Sequence, residues 1–325
     1  MFEQHPYGKL IADYIQHTEF PKQPADLYEP IEYILSLSGK RIRPILVLMG
    51  ARLFGKEHLQ EVVPASIAIE YFHNFSLIHD DIMDRAPLRR GKQTVHQKWN
   101  DNVAILSGDA LLVKAYQELG KSPDMKIPDL LKVFNKIALE VCEGQQLDMD
   151  FEEMSNVSEN DYLNMIRLKT SVLLGGALQM GAILADADQD QQQLIYDFGV
   201  NLGIAFQLQD DFLDVYGDPE TFGKQVGGDI LCNKKTILRI KTEQFLDEET
   251  KQEFDNLIQL NTIEDSDKVS RMKALYAKLE VDKYAEYIKS SFMELAYNKL
   301  ESISVSETQK SELRKLADTL MHRTR

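Results

Sequence analysis

Apolar residues recur at intervals of three and four along most of the chain, which is the repeat of an amphipathic α-helix. Within residues 62–82, one such stripe is formed by Ile67, Tyr71, Phe75 and Ile78. The same repeat predicts helices over 102–119, 130–147, 162–184 and 194–215. The alternating pattern of a half-buried β-strand is nearly absent, so the sequence predicts an all-α fold.

The helical repeat is interrupted where turn-forming residues gather. These breaks fall at Gly39, Gly55, 121–123, 187–188 and 217–219. No low-complexity linker separates the predicted helices, so we interpret residues 1–325 as a single domain, a bundle of about a dozen helices. The region from Thr242 to Arg325 carries no chemical signature, and we interpret it as amphipathic helices that pack on the rest.

The composition is that of a globular protein, with 43% hydrophobic and 27% charged residues and a formal charge of -15. This acidity argues against a nucleic-acid partner, because binding to phosphate backbones needs clustered cations. It also argues against a polybasic membrane anchor. A substrate that is itself a polyanion would need divalent cations to bind such a chain.

The amino terminus lacks the basic segment and apolar run of a signal peptide. No stretch approaches the roughly 18 uninterrupted apolar residues of a transmembrane helix. Cys142 and Cys232 have neither metal-type spacing nor a disulfide framework. We therefore expect a cytoplasmic protein without a membrane anchor.

Three aspartates, Asp80, Asp81 and Asp84, close the segment SLIHDDIMD. On a helix, Asp80 and Asp84 stand on one face about one turn apart. Their like charges repel, and the macrodipole at a helix C-terminus adds to the repulsion. Mg²⁺ would neutralise them, since it takes oxygen ligands and commonly bridges carboxylates to substrate phosphates. A single copy of this DDxxD pattern is more often a solvated helix end.

The same pattern occurs a second time, as Asp210, Asp211 and Asp214 at the end of FQLQDDFLD. Two such helix ends that meet would form a cage of carboxylates around a few metal ions, which chance or solvation does not readily explain. An EF-hand calcium loop is excluded, because neither cluster has its alternating oxygen ligands, central Gly and Glu at the twelfth position. The pair therefore predicts a metal-dependent site.

Basic residues accompany the acidic clusters, in GKRIRP at 39–44 and in RRG at 89–91. Metal ions held by the acidic clusters can attract one diphosphate, but a second diphosphate without its own metal needs such cations. Arg can bind phosphate oxygens through two N–H groups. Further lysines stand at Lys169, inside an apolar helical stretch, at Lys224, in a Gly-rich segment, and at Lys234, where Lys234-Lys235 is expected to open the next helix. The Gly-rich segment matches no P-loop, and each basic group read alone is a solvated patch or a lysine that reaches the surface.

The order and spacing of six motifs resemble those of the trans-isoprenyl diphosphate synthases, the family of farnesyl and geranylgeranyl diphosphate synthases. The motifs are GKRIRP at 39–44, SLIHDDIMDRAPLRRG at 76–91, GDALL at 108–112, KT at 169–170, FQLQDDFLD at 206–214 and GKQVGGDILCNKKT at 223–236. The resemblance implies an all-α bundle around a central cavity (the isoprenoid synthase type I fold), usually a homodimer. It implies that isopentenyl diphosphate is joined to dimethylallyl, geranyl or farnesyl diphosphate with the help of Mg²⁺.

The resemblance also assigns roles to residues. About three Mg²⁺ ions per site would be held by Asp80, Asp84 and Asp210, with Asp81, Asp211 and Asp214 in support. The allylic diphosphate would be held by Arg89, Lys169 and Lys234, and isopentenyl diphosphate by Lys40, Arg43, His73 and Arg90. The reacting end of the allylic substrate would be lined by Thr170, Gln207 and Lys224. The catalytic set is then Asp80, Asp84, Asp210, Lys169, Thr170 and Gln207.

Two features bear on affinity and product length. Where the family usually has an acidic residue or Glu-Gly before the last lysine, this chain has Cys232-Asn233, and we expect a small effect on diphosphate affinity. Bulk about one turn before the first acidic cluster limits product length in the family. Here Phe75 is followed by the small Ser76, which favours a geranylgeranyl (C20) product over a farnesyl (C15) product.

Two alternatives from other classes remain at this point. A class I terpene cyclase also uses an aspartate-rich helix end, but it pairs that end with an Asn/Ser/Glu metal motif and has no need for Lys40, Arg43 and His73. A non-catalytic regulatory subunit commonly loses one aspartate cluster, whereas this chain keeps both.

Overall fold

The structure is a computed structural model that describes residues 5–217, 226–259 and 264–321. The all-α prediction is confirmed, because helices dominate these residues. The β-structure among them is one antiparallel hairpin of two-residue strands, β1 (Leu88–Arg89) and β2 (Lys92–Gln93).

The longer helices follow the predicted segments closely, and some of their ends have side-chain caps. Asn100 accepts a hydrogen bond from the Val103 backbone N–H at 3.0 Å, and Ser158 forms a capping box with Asp161. The helices are α1 (Pro6–His17), α2 (Ala25–Ser36), α3 (Ile42–Leu53), α4 (Val63–Met83), α5 (Val95–Lys98), α6 (Asp101–Leu119), α7 (Ile127–Glu153), α8 (Glu159–Ile166), α9 (Val172–Leu184), α10 (Gln189–Tyr216), α11 (Gly228–Leu231), α12 (Ile237–Phe245), α13 (Glu248–Gln259), α14 (Asp265–Lys278), α15 (Val281–Glu301) and α16 (Glu307–Met321).

Two expectations about helices need correction. The helix expected over 162–184 is divided, because Arg167–Ser171 forms a π-helical turn between α8 and α9. The pair Lys234-Lys235 does not open a helix, since α12 begins only at Ile237. The reason is local, because Asn233 has a φ of 52°, which is outside the helical region.

The residues group into two compact units. Unit 1 is drawn from Met1–Ala138, Leu173–Tyr196 and Ile303–Gln309, and in it α4 packs against α6, α3 and α1. Its core side chains include Ile67, Tyr71 and Ile78 of the predicted stripe, which are all buried, whereas Phe75 is only partly buried. Helices α3 and α9 touch through glycines, because a Cβ on Gly181 would lie 2.1 Å from the Val47 carbonyl oxygen.

Unit 2 is drawn from Leu139–Val172, Asp197–Ser302 and Lys310–Arg325. Its apolar core joins α8, α10 and α12–α15, with Leu208, Ile237 and Leu257 among the fully enclosed side chains. The lysine- and glutamate-rich region after Thr242 contributes amphipathic helices to this core, as expected. The expectation of a single domain stays a prediction.

Candidate functional site

The first aspartate cluster lies at the C-terminal end of α4 in unit 1. Arg89, on strand β1, donates from Nε and Nη2 to the two carboxylate oxygens of Asp81, at 2.8 Å and 2.7 Å. Its Nη2 also lies 3.6 Å from Asp80 Oδ2. The hairpin therefore folds back on the helix end and holds a cation beside the acidic residues.

The three carboxylates differ in exposure and in electrostatics. The Asp81 side chain is 1% exposed, whereas that of Asp80 is 20% exposed and Asp84 is exposed. Burial raises the pKa of Asp81, although the hydrogen bonds and charge of Arg89 oppose the shift. Burial would lower the pKa of Arg89, but the carboxylates of Asp81 and Asp80 outweigh it and raise that pKa. Asp80 and Asp84 are thus the carboxylates that solvent can reach.

A second basic group forms around His73, which precedes Asp80 on α4 by nearly two helical turns. Arg43 Nη1 lies 3.1 Å from His73 Nε2. Because a guanidinium has no acceptor, the imidazole must accept through Nε2 and is therefore neutral. Burial, and then the charge of Arg43, lower the pKa of His73 well below its usual value. Burial likewise lowers the pKa of Arg43 to about 10, against the charge of Glu70.

Arg90 lies next to this pair. Its guanidinium rests on Gly39, where a Cβ would lie 2.6 Å from Nη1, and Nη1 donates to the Leu37 carbonyl oxygen at 3.3 Å. The charge of Arg90 contributes to the lowered pKa values of Arg43 and His73. Lys40 is exposed in the segment just before α3. Unit 1 therefore brings together Arg43, His73 and Arg90, three of the four residues expected at isopentenyl diphosphate, near Arg89 of the first aspartate cluster.

The residues expected to limit product length also lie on α4. The ring of Phe75 meets the His79 ring edge-on, with centroids 4.7 Å apart, and the Ser76 hydroxyl donates to the His73 carbonyl oxygen at 2.8 Å. His79 in turn fills the space above Gly108 on α6, where a Cβ would lie 2.4 Å from its Nε2. The glycine of the GDALL motif thus allows His79 to support Phe75.

The second aspartate cluster lies at the end of α10 in unit 2. Asp211 is buried and accepts a hydrogen bond from the Tyr162 hydroxyl of α8, with Gln207 Nε2 at 3.5 Å. Burial, and then the charge of Asp229, raise the pKa of Asp211 to about 7, while Lys234 acts in the opposite direction. Asp210 is only partly buried, so it is the more accessible carboxylate of the pair.

The π-helical turn carries two more of the expected residues, Lys169 and Thr170. Lys169 Nζ donates to Asp148 Oδ2 at 2.5 Å, and Thr170 Oγ1 lies 3.5 Å from Oε1 of Gln207, which is also an expected residue. The turn approaches α7 closely, because a Cβ on Gly144 would lie 2.2 Å from the Lys169 backbone nitrogen. The expected partner Lys224 lies outside the described residues.

The accessible carboxylates fit magnesium by their chemistry. Among the described residues, no group of three or more His, Cys, Asp or Glu side chains could hold a metal ion. Mg²⁺ does not need such a group, since it is usually bound through one or two carboxylates, waters and substrate phosphates. Asp80, Asp84 and Asp210 carry carboxylate oxygens of that kind.

Four residues in these surroundings were not singled out from the sequence: Glu70, Asp148, Tyr162 and Asp229. Glu70 is buried, and its Oε1 accepts from Asn74 Nδ2 at 3.1 Å. Its sequence signal is a charged residue within an otherwise apolar stretch. Tyr162 and Asp229 have no such signal. Tyr162 contacts Asp211, which is distant along the sequence, and Asp229 contacts Asp214 through its backbone N–H.

The raised pKa of Asp211 predicts a pH-dependent stability. Between the unfolded pKa of about 3.9 and the folded pKa, the folded chain binds more protons, so the free energy of unfolding falls as pH rises. Asp211→Asn removes this fall in the free energy of unfolding, because asparagine does not titrate. Its side-chain oxygen still accepts from the Tyr162 hydroxyl. We expect the Tm of the variant minus that of the wild type to be several degrees larger at pH 8 than at pH 5. Calorimetry in EDTA measures both Tm values.

The control for this measurement is Asp190→Asn, an exposed position on the same helix. Its Tm difference from the wild type should be the same at both pH values. An equal difference for Asp211→Asn at pH 5 and pH 8 would contradict the buried-carboxylate interpretation.

Comparison with known proteins places this geometry in a family. The family model described as polyprenyl synthetase matches residues 24–279. The chain is 36% identical over 323 residues to geranylgeranyl pyrophosphate synthase of Geoglobus acetivorans, covering 97% of each. It is 39% identical over 258 residues to the short chain isoprenyl diphosphate synthase of Methanocaldococcus jannaschii, covering 79% of this chain and 78% of that one.

A solved structure gives the same result. A crystal structure of geranylgeranyl pyrophosphate synthase matches with a TM-score of 0.93 and 45% identity, covering 99% of both chains. Within the part of the chain that the structure describes, no helix has the length and apolar character needed to cross a membrane. The chain belongs to the polyprenyl synthetase family and is a prenyltransferase.

Proposed function

We propose that this prenyltransferase joins isopentenyl diphosphate to an allylic diphosphate and that geranylgeranyl diphosphate (C20) is its main product. The observation that carries the proposal is the pairing of Arg89 with Asp81, which holds a cation beside the accessible carboxylate of Asp80. Both features suit a metal-bound diphosphate, since basic side chains and a carboxylate-bound metal together neutralise its charge. The farnesyl (C15) product is the alternative.

Each diphosphate is assigned its own residues. Arg89, Lys169 and Lys234 bind the allylic diphosphate, and Lys40, Arg43 and Arg90 bind isopentenyl diphosphate together with His73. The neutral His73 suits this role, because it accepts from Arg43 through Nε2 and so leaves its Nδ1 hydrogen as a donor. Lys224 completes the allylic site in the proposal.

The metal requirement follows from the two aspartate clusters. We assign Asp80 and Asp84 of one cluster and Asp210 of the other as the carboxylates that hold about three Mg²⁺ ions with the allylic diphosphate, while Asp81, Asp211 and Asp214 orient their neighbours. Magnesium, when bound, supplies positive charge that stabilises the departing diphosphate. Asp81 is better suited to orientation than to coordination, because it is buried and both its oxygens accept from Arg89.

The reaction then has three steps. The allylic carbon–oxygen bond breaks, and its electron pair leaves with the diphosphate, whose charge Arg89, Lys169 and Lys234 stabilise. The double bond of isopentenyl diphosphate attacks the allylic carbon, and a proton passes to the released diphosphate. We assign Thr170 and Gln207, whose Oγ1 and Oε1 atoms lie 3.5 Å apart, to the reacting end of the allylic substrate, where water must be kept from the cation.

One assay tests the proposal. The purified chain is incubated with Mg²⁺, isopentenyl diphosphate and, in turn, dimethylallyl, geranyl or farnesyl diphosphate. Chromatography of the dephosphorylated products is expected to show a C20 alcohol with each donor. Cyclic hydrocarbons would indicate a terpene cyclase, and no product with any donor would indicate a regulatory subunit.

Phe75→Ala is expected to lengthen the main product beyond that of the wild type. The Phe75 ring is held by His79 and is the bulky side chain about one turn before Asp80, so its removal deepens the space for the growing chain. The same chromatography measures the change, with Phe75→Tyr as the size-matched control that keeps the wild-type product. An unchanged profile in Phe75→Ala would exclude this ring as the limit.

We also infer that the enzyme is a homodimer in a reducing compartment such as the cytoplasm. Helix α6 leaves a row of apolar side chains at the surface, with Leu106 60% and Val113 58% exposed and with Ile105 and Tyr116 beside them. A second copy of this face would remove these side chains from water.

The compartment is inferred from the cysteines. Cys142 and Cys232 are both free and exposed, which suits a reducing compartment.

A further inference from the structure

The segment around Lys234, residues 226–236, is fastened to the second aspartate cluster at its first end. Asp214 Oδ1 accepts from the Asp229 backbone N–H at 2.9 Å, and the Asp214 carbonyl oxygen accepts from the Gly227 N–H at 2.6 Å. Asp229 then accepts from the Lys234 N–H through its carbonyl oxygen, at 2.8 Å. The charge of Lys234 reaches Asp211, since it contributes to the pKa of that carboxyl group. We call residues 226–236 the Lys234 segment.

The other end of the Lys234 segment is held through Asn233. This residue has a left-handed φ of 52°, which Asn tolerates better than most side chains. Its Oδ1 accepts from Lys268 Nζ at 2.9 Å, and its Nδ2 donates to the Ile258 carbonyl oxygen at 3.3 Å. Its own carbonyl oxygen accepts from Arg239 Nη1. Asn233 is thereby fixed by three elements, α12, α13 and α14.

Lys268 is an unusual choice for a structural contact alone. It is only 8% exposed, and burial, followed by the nearby charge of Arg239, lowers its pKa. The charges of Cys232 and Asp265 act in the opposite direction. Burying one cation beside another costs free energy, so this contact is kept at some cost to stability. The contact that Lys268 makes here is with the residue next to Lys234.

We propose that Asn233, Lys268 and Arg239 are positioning residues that fix Lys234 for binding of the allylic diphosphate. Glycine, with its freedom at positive φ, would reach the same turn but would leave it without the side-chain contacts. Asn233 supplies both the left-handed conformation and two side-chain hydrogen bonds. The proposal rests on the proposed function, because that function assigns Lys234 to the diphosphate.

The first test compares Lys268→Met with Lys278→Met. Both lie on α14 and both lysines donate to an oxygen acceptor, but Lys278 pairs with Glu249 at the surface, at 3.1 Å. Binding of inorganic pyrophosphate with Mg²⁺, measured by calorimetry on the full chain, is expected to weaken about tenfold in Lys268→Met and to stay unchanged in Lys278→Met. The KM for the allylic diphosphate should rise similarly, while the KM for isopentenyl diphosphate stays unchanged.

A second variant and a second readout keep the test independent of folding and of catalysis. Asn233→Gly retains the turn and loses both side-chain contacts, so its pyrophosphate affinity should match that of Lys268→Met. Hydrogen exchange should speed up within 226–236 in both variants, and α4 should exchange as in the wild type. Unchanged affinity and exchange in Lys268→Met would overturn the positioning role.

The two proposals fail in different ways. Suppose that the wild type forms no prenyl product, while Lys268→Met binds pyrophosphate more weakly than the wild type does. The proposed function is then wrong and the positioning role stands. If the wild type is active and both variants bind pyrophosphate normally, the positioning role is wrong and the proposed function stands.

Discussion

Asp80→Ala is expected to lower turnover about a thousandfold while leaving the helical circular dichroism unchanged. The Asp80 carboxylate is accessible at the end of α4, where the proposed metal ions meet the allylic diphosphate. Its removal should cost little stability, because the loss of the 3.6 Å ion pair with Arg89 is offset by relief of repulsion from Asp84 and from the negative end of the helix macrodipole. Loss of activity and retention of fold are therefore both predicted from the same position.

The measurement is turnover at saturating Mg²⁺ and both substrates, beside a thermal melt. Asp13→Ala is the matched control, since Asp13 is an exposed helical aspartate of the same unit. It should keep wild-type turnover. Near-wild-type turnover in Asp80→Ala would refute the assignment of metal ligands to the first cluster.

Asp210→Ala is expected to cause a loss of the same order as Asp80→Ala. If the two clusters act on one diphosphate group, each single change already disables the shared arrangement. The double variant should then be about as slow as the slower single variant, because residues that act as a unit lose activity non-additively. Asp190→Ala, at the exposed start of the same helix, is the control.

The double variant decides between joint and separate action of the clusters. If the two losses multiply, so that the double variant is slower by the product of both factors, the clusters stabilise different steps or different groups. That result would leave each aspartate important but would contradict the common metal cage.

Much of the fold could be predicted from the spacing of apolar residues. The segment expected over 62–82 is α4, and those expected over 102–119 and 194–215 are α6 and α10, each within a few residues of the observed ends. This succeeds because a long helix that buries one face repeats that face in the sequence. It is less successful at the π-helical turn Arg167–Ser171, because one extra residue in a turn hardly changes the apolar repeat.

The resemblance divided each aspartate cluster into binding and supporting members, but the sequence alone gave no physical reason for that division. The sequence has three similar carboxylates in each cluster, whereas in the structure Asp81 and Asp211 are buried and held by Arg89 and Tyr162. Exposure divides each cluster into buried and more accessible members. This division depends on Arg89 and Tyr162, which approach the aspartates from other elements of the fold. Such contacts cannot be read from positions along the sequence.

By itself, the sequence determined the all-α class, the helices that carry aspartates near their C-terminal ends and the acidic and basic residues that we propose for binding metal and diphosphate, because periodicity and composition are properties of neighbouring residues. Only the tertiary structure decided that Arg43 is paired with a neutral His73, that the pKa of Asp211 is raised, and that Lys268 holds the residue before Lys234. Each of these depends on burial and on contacts between elements distant along the chain, where desolvation and charge act over a few ångströms of space.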